Sequence, residues 1–146
     1  MEHTILIVED EKGIRETVTV FLKNQGYNVL QASNGEEGLA LIEANEIHLA
    51  VVDIMMPVMD GITMVLKLRE NYDFPVIFLS AKSEDIDKIT GLNIGGDDYI
   101  TKPFEAMELI ARVNSNLRRY NQILALKENR NLNNNQQRLV VGGLEL

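Results

Sequence analysis

Five polar side chains lie at or just after the ends of apolar segments of this chain, and their types suggest phosphoryl chemistry beside a metal ion. They are Glu9 and Asp10 after the first such segment, Asp53 after the third, Ser80 at the end of the fourth and Lys102 after the fifth. Carboxylates held together repel one another unless a cation joins them. Oxygen ligands with room for water suit Mg²⁺, while a hydroxyl and an ammonium suit a phosphoryl group. Asp53 is then the candidate nucleophile, forming an aspartyl phosphate.

Each residue also has an ordinary structural interpretation. A single acidic residue after a strand is most often part of a turn or a helix cap, and Glu9 with Asp10 would suit the start of the next helix. A lone Lys before Pro is most often a surface residue. Only the coincidence of five such residues at the ends of apolar segments favours a functional site.

The elements that must position these side chains alternate along residues 4–120. Apolar segments predict strands over residues 4–10, 27–32, 48–53, 75–80 and 98–103. Helical spacing predicts helices over residues 12–25, 34–45, 62–70, 83–94 and 104–120. Apolar strands separated by helices indicate an α/β fold with a parallel sheet covered on both faces. Right-handed crossovers favour the flavodoxin-like, doubly wound order 2-1-3-4-5, whose site lies at the carboxyl ends of the strands.

Local signals predict where several helices begin, end and pack. Asn34 and Ser83 are expected as N-caps, and Gly26 is expected to end the first helix. In the last helix, the inward face is predicted to consist of Met107, Ile110, Ala111, Val113 and Leu117.

Composition favours a cytoplasmic protein. The 146 residues contain no Cys, so nothing requires an oxidising compartment. No apolar stretch approaches the length of a membrane span, and the first ten residues do not resemble a signal peptide. Residues 1–105 hold 8 Lys and Arg against 19 Asp and Glu, which argues against direct contact of this part with nucleic acid.

The chain changes character after Tyr120. Half of residues 121–138 are Asn or Gln, a composition typical of a linker or of a frayed extension of the last helix. The ending "LVVGGLEL", residues 139–146, is expected to be the first strand of a further domain. We therefore expect a domain over residues 1–120, a linker over 121–138 and the start of a truncated DNA-binding domain over 139–146.

Four segments resemble the receiver domain of two-component response regulators. They are "ILIVEDE", "AVVDIMMPVMDG", "VIFLSAK" and "GGDDYITKPF", in that order and with similar spacing. The segment "ELIARVNSNLRR" and the ending of the chain resemble the OmpR/PhoB type, which carries a winged-helix DNA-binding domain. The resemblance implies a phosphorylated signal-transduction protein that regulates transcription, with a sensor histidine kinase as partner and DNA contacted only through the missing domain.

The resemblance also implies a role for each residue of the site. Asp53 is the phosphoacceptor, and Mg²⁺ is held by Glu9, Asp10, Asp53 and the backbone carbonyl of Met55. Ser80 and Lys102 contact the phosphoryl group, and the Lys102–Pro103 peptide is expected to be cis. Ser80 and Tyr99 are the switch residues, Tyr99 swinging inward when the hydroxyl moves. No catalytic turnover is expected beyond slow self-dephosphorylation.

In the OmpR/PhoB type, activated receivers form homodimers through the fourth helix, the fifth strand and the fifth helix. The matching charged positions allow Lys88 to pair with Glu108, Asp98 with Arg112, and Asp97 with Arg119 across the interface. The apolar centre would be Leu92 and Ile110.

Two alternatives remain. A phosphatase of the haloacid dehalogenase type also uses an Asp nucleophile after a strand, but it needs a second Asp two residues later, where this chain has Met55. A stand-alone receiver would act through protein contacts alone, and the amide-rich segment followed by "LVVGGLEL" argues against it. Further sequence containing a basic recognition helix would decide between a stand-alone receiver and a transcription factor.

Overall fold

The computed structural model describes residues 2–81 and 97–145, with side chains described as far as residue 129. The predicted helix over 83–94, its cap at Ser83 and the predicted interface residues Lys88 and Leu92 lie outside these ranges. The strands are β1 (Thr4–Val8), β2 (Asn28–Ala32), β3 (Leu49–Asp53), β4 (Val76–Ser80) and β5 (Asp98–Thr101). The helices are α1 (Lys12–Asn24), α2 (Gly35–Ala44), α3 (Gly61–Leu68) and a C-terminal helix (Ala106–Glu145).

The five strands form one parallel sheet in the order β2-β1-β3-β4-β5. The predicted flavodoxin-like α/β fold is therefore confirmed. The direction in which strands are added reverses between β1 and β3. The chain places β2 on one side of β1 and then places β3, β4 and β5 on the other side. Loops that leave neighbouring strands in opposite directions open a crevice at this point, which is where α/β sheets bind ligands.

Successive side chains of the central strands enter two separate cores. On one face of the sheet, Leu6, Val52 and Phe78 belong to a cluster of buried residues that includes Met64 of α3. On the other face, Ile7, Val51 and Leu79 belong to a cluster with residues of α1 and the C-terminal helix. All five residues of β3 and all five of β4 are buried, as expected for strands covered on both faces.

Short-range signals set the ends of several helices. The Asn34 side chain accepts a hydrogen bond from the Glu37 N–H at the start of α2, as predicted. The Asp60 side chain does the same for the Thr63 N–H at the start of α3. Gly26 follows α1 with a φ of +90°, a conformation that costs glycine little because it has no β-carbon.

The inward face of the C-terminal helix differs from the predicted one. Met107 is 74% exposed, whereas Leu109 is fully buried. Val113 and Leu117 are buried as predicted. The predicted inward residues and the observed ones both recur every three or four positions. Helical spacing alone therefore cannot distinguish two helix faces that are offset by one residue. Packing against β5 and α1 selects the face that carries Leu109.

The C-terminal helix continues through the residues for which a linker and a strand were predicted. The strand predicted over 139–146 is therefore wrong in this structure. A single strand would leave its backbone groups without a partner strand, whereas a helix satisfies them internally. The division of the chain into domains stays a prediction. Among the described residues, no helix combines the length and apolar character needed to cross a membrane.

Candidate functional site

The carboxyl ends of β1, β3 and β4 bring most of the predicted site residues to one edge of the sheet. Glu9 directly follows β1, and Asp53 is the last residue of β3. Ser80 is the last residue of β4 and lies one position beyond Leu79, which is paired with Asp53. These three side chains are buried, with exposed fractions of 0%, 5% and 1%. Buried charged and hydroxyl groups need polar partners, and these three side chains are buried together at one edge of the sheet.

Lys102 connects two of the strand ends. Its Nζ lies 2.7 Å from Glu9 Oε1 and 3.3 Å from Asp53 Oδ2. The Lys102 backbone N–H donates to the Ser80 carbonyl oxygen over 2.7 Å, which aligns the residue with the end of β4. The Lys102–Pro103 peptide is cis, as the resemblance implied. One ammonium is thereby held against two buried carboxylates.

An acidic group at this edge has the composition of a divalent metal site. Carboxylate oxygens of Glu9, Asp10 and Asp53 all lie within 4.8 Å of one another. Glu9 and Asp53 are buried, whereas Asp10 is exposed. Among the described residues, Glu9 Oε1 has no hydrogen-bond partner, although Lys102 Nζ lies 2.7 Å from it. Mg²⁺ takes oxygen ligands of this type and retains several waters, so the residues present fit this ion.

The electrostatics of the group also suit a cation. Burial raises the pKa of Glu9 to about 8, and the neighbouring Asp53 carboxylate adds to the rise, whereas Lys102 opposes it. Burial alone would lower the pKa of Lys102, but contact with Glu9 and the charge of Asp53 outweigh burial and raise it. Two crowded carboxylates thus face one ammonium. A divalent cation would relieve the repulsion between them.

Backbone groups around β3 orient Asp53. The Met55 N–H donates to Asp53 Oδ1 over 3.2 Å, and the Gly61 N–H donates to the Ile54 carbonyl oxygen over 3.0 Å. A β-carbon at Gly61 would overlap the Asp53 carbonyl oxygen. The Asp-Gly sequence at 60–61 therefore serves two purposes, since Asp60 caps α3 while Gly61 permits close approach of the backbone.

The loop between β3 and α3 contains a strained turn. The Met59 N–H donates to the Pro57 carbonyl oxygen over 2.8 Å, and Val58 between them has a φ of +69°. This is a γ-turn with a positive central φ, which is rare and strained, and Val is among the residues least suited to it. The strain lies five residues beyond Asp53. Strained residues of this kind cluster at functional sites.

Arg15 is a residue of the site that the sequence did not reveal. Its Nη1 donates to the Glu9 carbonyl oxygen over 2.8 Å, so α1 holds the backbone at the end of β1. The Glu11 N–H donates to Glu9 Oε2 over 3.2 Å. Arg15 is six residues from Glu9, and the only available signal was a cation in the first turns of the helix that follows an acidic pair.

Several of the predicted switch and interface residues lie in β5 and the C-terminal helix. Tyr99 is 43% exposed. Arg112 Nη1 lies 2.7 Å from Asp98 Oδ1, and Arg112 Nε lies 3.4 Å from Glu108 Oε1. The pair Asp98–Arg112, expected between two subunits, is thus present within one chain. The role of Tyr99 as a switch residue stays a prediction.

Asn116 joins the same network, which sequence patterns did not indicate. This buried side chain donates to Asp98 Oδ2 over 3.0 Å and to the Arg112 carbonyl oxygen over 2.8 Å. Its Oδ1 accepts from Arg119 Nη2 over 2.6 Å. Asn116 therefore links the Arg119 guanidinium to the Asp98 carboxylate and also contacts the Arg112 backbone.

Asp97 likewise has partners within the chain. Its Oδ2 lies 3.0 Å from Arg69 Nη2 and accepts the Val76 N–H over 2.8 Å. The structure therefore pairs Asp97 with Arg69, where the resemblance suggested Arg119 of another subunit. Ile110 is partly buried.

The chain is similar to known signalling proteins. The family described as "Response regulator receiver domain" matches residues 5–114. Regulatory protein VanRc of Enterococcus gallinarum is 48% identical over 120 residues, which cover 82% of this chain and 52% of that protein. Regulatory protein VanR of Enterococcus faecium is 48% identical over 128 residues, covering 88% and 55%. The chain thus spans about half the length of the curated relatives it matches.

Solved structures show the same architecture. The receiver domain of the Francisella response regulator 1452 is 40% identical, with a TM-score of 0.76, and the match covers 82% of this chain and 99% of that one. The chemotaxis protein CheY4 of Vibrio cholerae is 29% identical, with a TM-score of 0.74, covering 79% and 98%. Both likenesses extend over nearly the whole of the solved chain.

Proposed function

This chain belongs to the receiver domain family of two-component response regulators, and on that premise we propose that Asp53 accepts a phosphoryl group from a sensor histidine kinase. The observation that carries the proposal is the position of Asp53, with Lys102 Nζ 3.3 Å from its carboxylate and the carboxylates of Glu9 and Asp10 beside it. A nucleophilic carboxylate, a fixed cation and a metal site are the parts that phosphoryl transfer to Asp requires.

In the proposed reaction, an oxygen of Asp53 forms a bond to phosphorus while the bond between phosphorus and the histidine nitrogen of the kinase breaks. Bound Mg²⁺, held by Glu9, Asp10, Asp53 and the Met55 carbonyl, would neutralise charge on the phosphoryl oxygens. Lys102 contributes a second positive charge, and the Ser80 hydroxyl donates a hydrogen bond. Positioning and electrostatic stabilisation account for most of the acceleration in such transfers.

The proposal extends to the consequence of phosphorylation. A phosphoryl group on Asp53 would draw the Ser80 hydroxyl toward it, Tyr99 would follow inward, and the surface formed by β5 and the C-terminal helix would change its preference for a second copy of the chain. Phosphorylation need only favour the active state over the inactive one to shift an existing equilibrium. The dimer would then control an attached DNA-binding domain, and through it transcription, in the cytoplasm.

The protein acts in this scheme as a phosphoacceptor with at most slow self-dephosphorylation. Two observations support it over the phosphatase alternative. Met55 occupies the position at which that mechanism needs a proton-transferring Asp, and a thioether cannot transfer a proton. The curated relatives named above are regulatory proteins.

The test is phosphorylation of purified protein by acetyl phosphate and Mg²⁺, followed by intact mass. We expect the wild-type chain to gain one phosphoryl group and Asp53→Asn to gain none. Asp73→Asn is the matched control, because Asp73 is an exposed acid that bonds Tyr120 on the C-terminal helix and is not part of the acidic group. Undiminished labelling of Asp53→Asn would exclude Asp53 as the acceptor.

A further inference from the structure

Methionine side chains of this chain differ sharply in their access to solvent. Met55 is 67% exposed and Met107 is 74% exposed, whereas Met56 is 9% exposed and Met64 is fully buried. A dissolved oxidant reaches exposed thioethers first, and oxidation of a methionine gives a polar sulfoxide. Among these four methionines, Met55 and Met107 are therefore the ones accessible to a dissolved oxidant.

Only Met55 of these two adjoins the candidate phosphoacceptor. It is the second residue after Asp53, and its backbone N–H donates to Asp53 Oδ1 over 3.2 Å. That hydrogen bond fixes the Met55 backbone against the carboxylate, so its side chain starts at the rim of the site. Met107 lies near the start of the C-terminal helix, outside the acidic group. A chemical change at Met55 would alter the surroundings of Asp53.

We propose that Met55 is a redox-modification site whose oxidation shortens the lifetime of the phosphorylated state. The inference rests on the proposed function of Asp53. A peroxide transfers one oxygen atom to the sulfur as its O–O bond breaks; the thioether is oxidised by two electrons, and the peroxide is reduced to water or an alcohol. The product is a methionine sulfoxide, which methionine sulfoxide reductases return to the thioether.

The chemical consequence follows from hydrogen bonding. A thioether sulfur is a weak acceptor, so it does little to hold a water molecule beside the phosphoryl group. The sulfoxide oxygen is polar and able to accept a hydrogen bond from water. An ordered water near the acyl phosphate raises the rate of hydrolysis through proximity. One ordinary hydrogen bond of about 1 kcal/mol, made in the transition state, corresponds to about a fivefold shorter half-life.

The first measurement is the site of oxidation, which does not depend on phosphorylation. Purified protein is treated with hydrogen peroxide and its peptides are followed by mass spectrometry over time. Met55 and Met107 should be oxidised well before Met56 and Met64. Oxidation of Met55 no faster than that of buried Met64 would overturn the proposal.

The second measurement compares phosphoryl half-lives before and after peroxide treatment. Oxidised Met107→Leu protein should lose its phosphoryl group about fivefold faster than the same variant before oxidation, because Met55 remains. Met55→Leu protein should show no change on oxidation. Met55→Gln, whose amide oxygen accepts hydrogen bonds as a sulfoxide does, should shorten the half-life without peroxide.

The outcomes separate this inference from the proposed function. If unoxidised wild-type protein takes up no phosphoryl group, the assignment of Asp53 fails. If it is phosphorylated normally but oxidised Met107→Leu keeps its original half-life, the assignment of Asp53 stands and the role of Met55 oxidation is wrong.

Discussion

Arg112 and Asp98 form an ion pair within one chain, with Arg112 Nη1 2.7 Å from Asp98 Oδ1. Asn116 Nδ2 donates a hydrogen bond of 3.0 Å to the other carboxylate oxygen of Asp98. The resemblance to OmpR/PhoB-type receivers assigned this pair to contact between subunits. A dimer that uses this pair must replace the ion pair within each chain by the same ion pair between chains. The replacement gains little energy, since partly exposed pairs contribute only about 0–1 kcal/mol each. The unphosphorylated chain is therefore expected to be monomeric or weakly dimeric.

The first prediction is that Arg112→Glu abolishes phosphorylation-dependent dimerisation. The substitution places three acidic side chains together, because Glu108 and Asp98 both contact Arg112, and like charges at close range repel. Sedimentation velocity with and without acetyl phosphate and Mg²⁺ measures the effect. Arg118→Glu makes the same charge change at an exposed position of the same helix and should leave dimerisation intact. Persistence of the phosphorylated dimer in Arg112→Glu would show that the subunits meet elsewhere.

The second prediction concerns the metal. Asp10→Ala should weaken Mg²⁺ binding more than Glu9→Ala does, because exposed Asp10 is free to enter the coordination shell while buried Glu9 already contacts Lys102. Loss of a direct ligand is expected to lower affinity by about tenfold or more. Calorimetric titration with Mg²⁺ measures it, with Glu11→Ala as the neighbouring acidic control. Equal affinities for Asp10→Ala and wild type would remove Asp10 from the ligand set.

The sequence predicted the five strands of the sheet, and the edge at which Asp53 and Lys102 meet, better than the packing of the helices. Asp53 and Lys102 could be located because strand ends in a parallel sheet share one edge, so order along the chain sets position in space. Leu109 was missed because two helix faces satisfy the same spacing. Arg15 and Asn116 were missed because their partners, Glu9 and Asp98, are contacts of tertiary structure that no local pattern encodes.

The third prediction is that Val58→Gly stabilises the protein. Val58 has a φ of +69°, which costs a residue with a β-carbon about 1–2 kcal/mol. Glycine removes that cost but adds entropy to the unfolded chain, so we expect a net gain of about 1 kcal/mol in the free energy of unfolding. Urea denaturation measures it. Val58→Ala retains a β-carbon at positive φ and should change stability far less; a loss of stability in Val58→Gly would show that the turn is not strained.

The fourth prediction concerns pH. Burial lowers the pKa of His3, and the imidazole of His48, whose ring centre is 5.1 Å away, lowers it further. Because the pKa in the folded state lies below the value of about 6.5 expected for the unfolded chain, the contribution of His3 to stability is complete above that pH. It is lost as pH falls through the folded-state pKa. Titration of the His3 ring by NMR measures this directly.

A variant isolates the contribution of His3. His3→Gln should flatten the decline of the urea midpoint between about pH 7 and pH 5, while His48 remains in place to accept the Thr4 N–H. A folded-state pKa for His3 at or above about 6.5 would contradict the prediction.

The last prediction is that the phosphorylated state decays slowly. Aspartyl phosphate is lost when water attacks in line, and the resemblance to receiver domains implies that this water is oriented by the side chains two residues after the acceptor and two residues after the hydroxyl. These are Met55 and Lys82, the latter outside the described residues. A thioether accepts hydrogen bonds weakly and a charged Lys accepts none, so we expect neither side chain to hold the water for attack. A long lifetime of this kind would suit the proposed control of transcription.

Substitution at both positions tests this account of the lifetime. Met55→Asn with Lys82→Glu introduces two acceptors without altering Asp53 or Lys102, so phosphorylation itself should be retained. We expect the half-life of the phosphoryl group to shorten by about tenfold or more, equivalent to about 1.4 kcal/mol of barrier. Decay of radiolabelled protein after removal of acetyl phosphate measures it, and Met107→Asn, at an exposed position near the start of the C-terminal helix, is the matched control. If wild-type protein decays within seconds, or the double variant decays no faster, water positioning at Met55 and Lys82 does not set the rate.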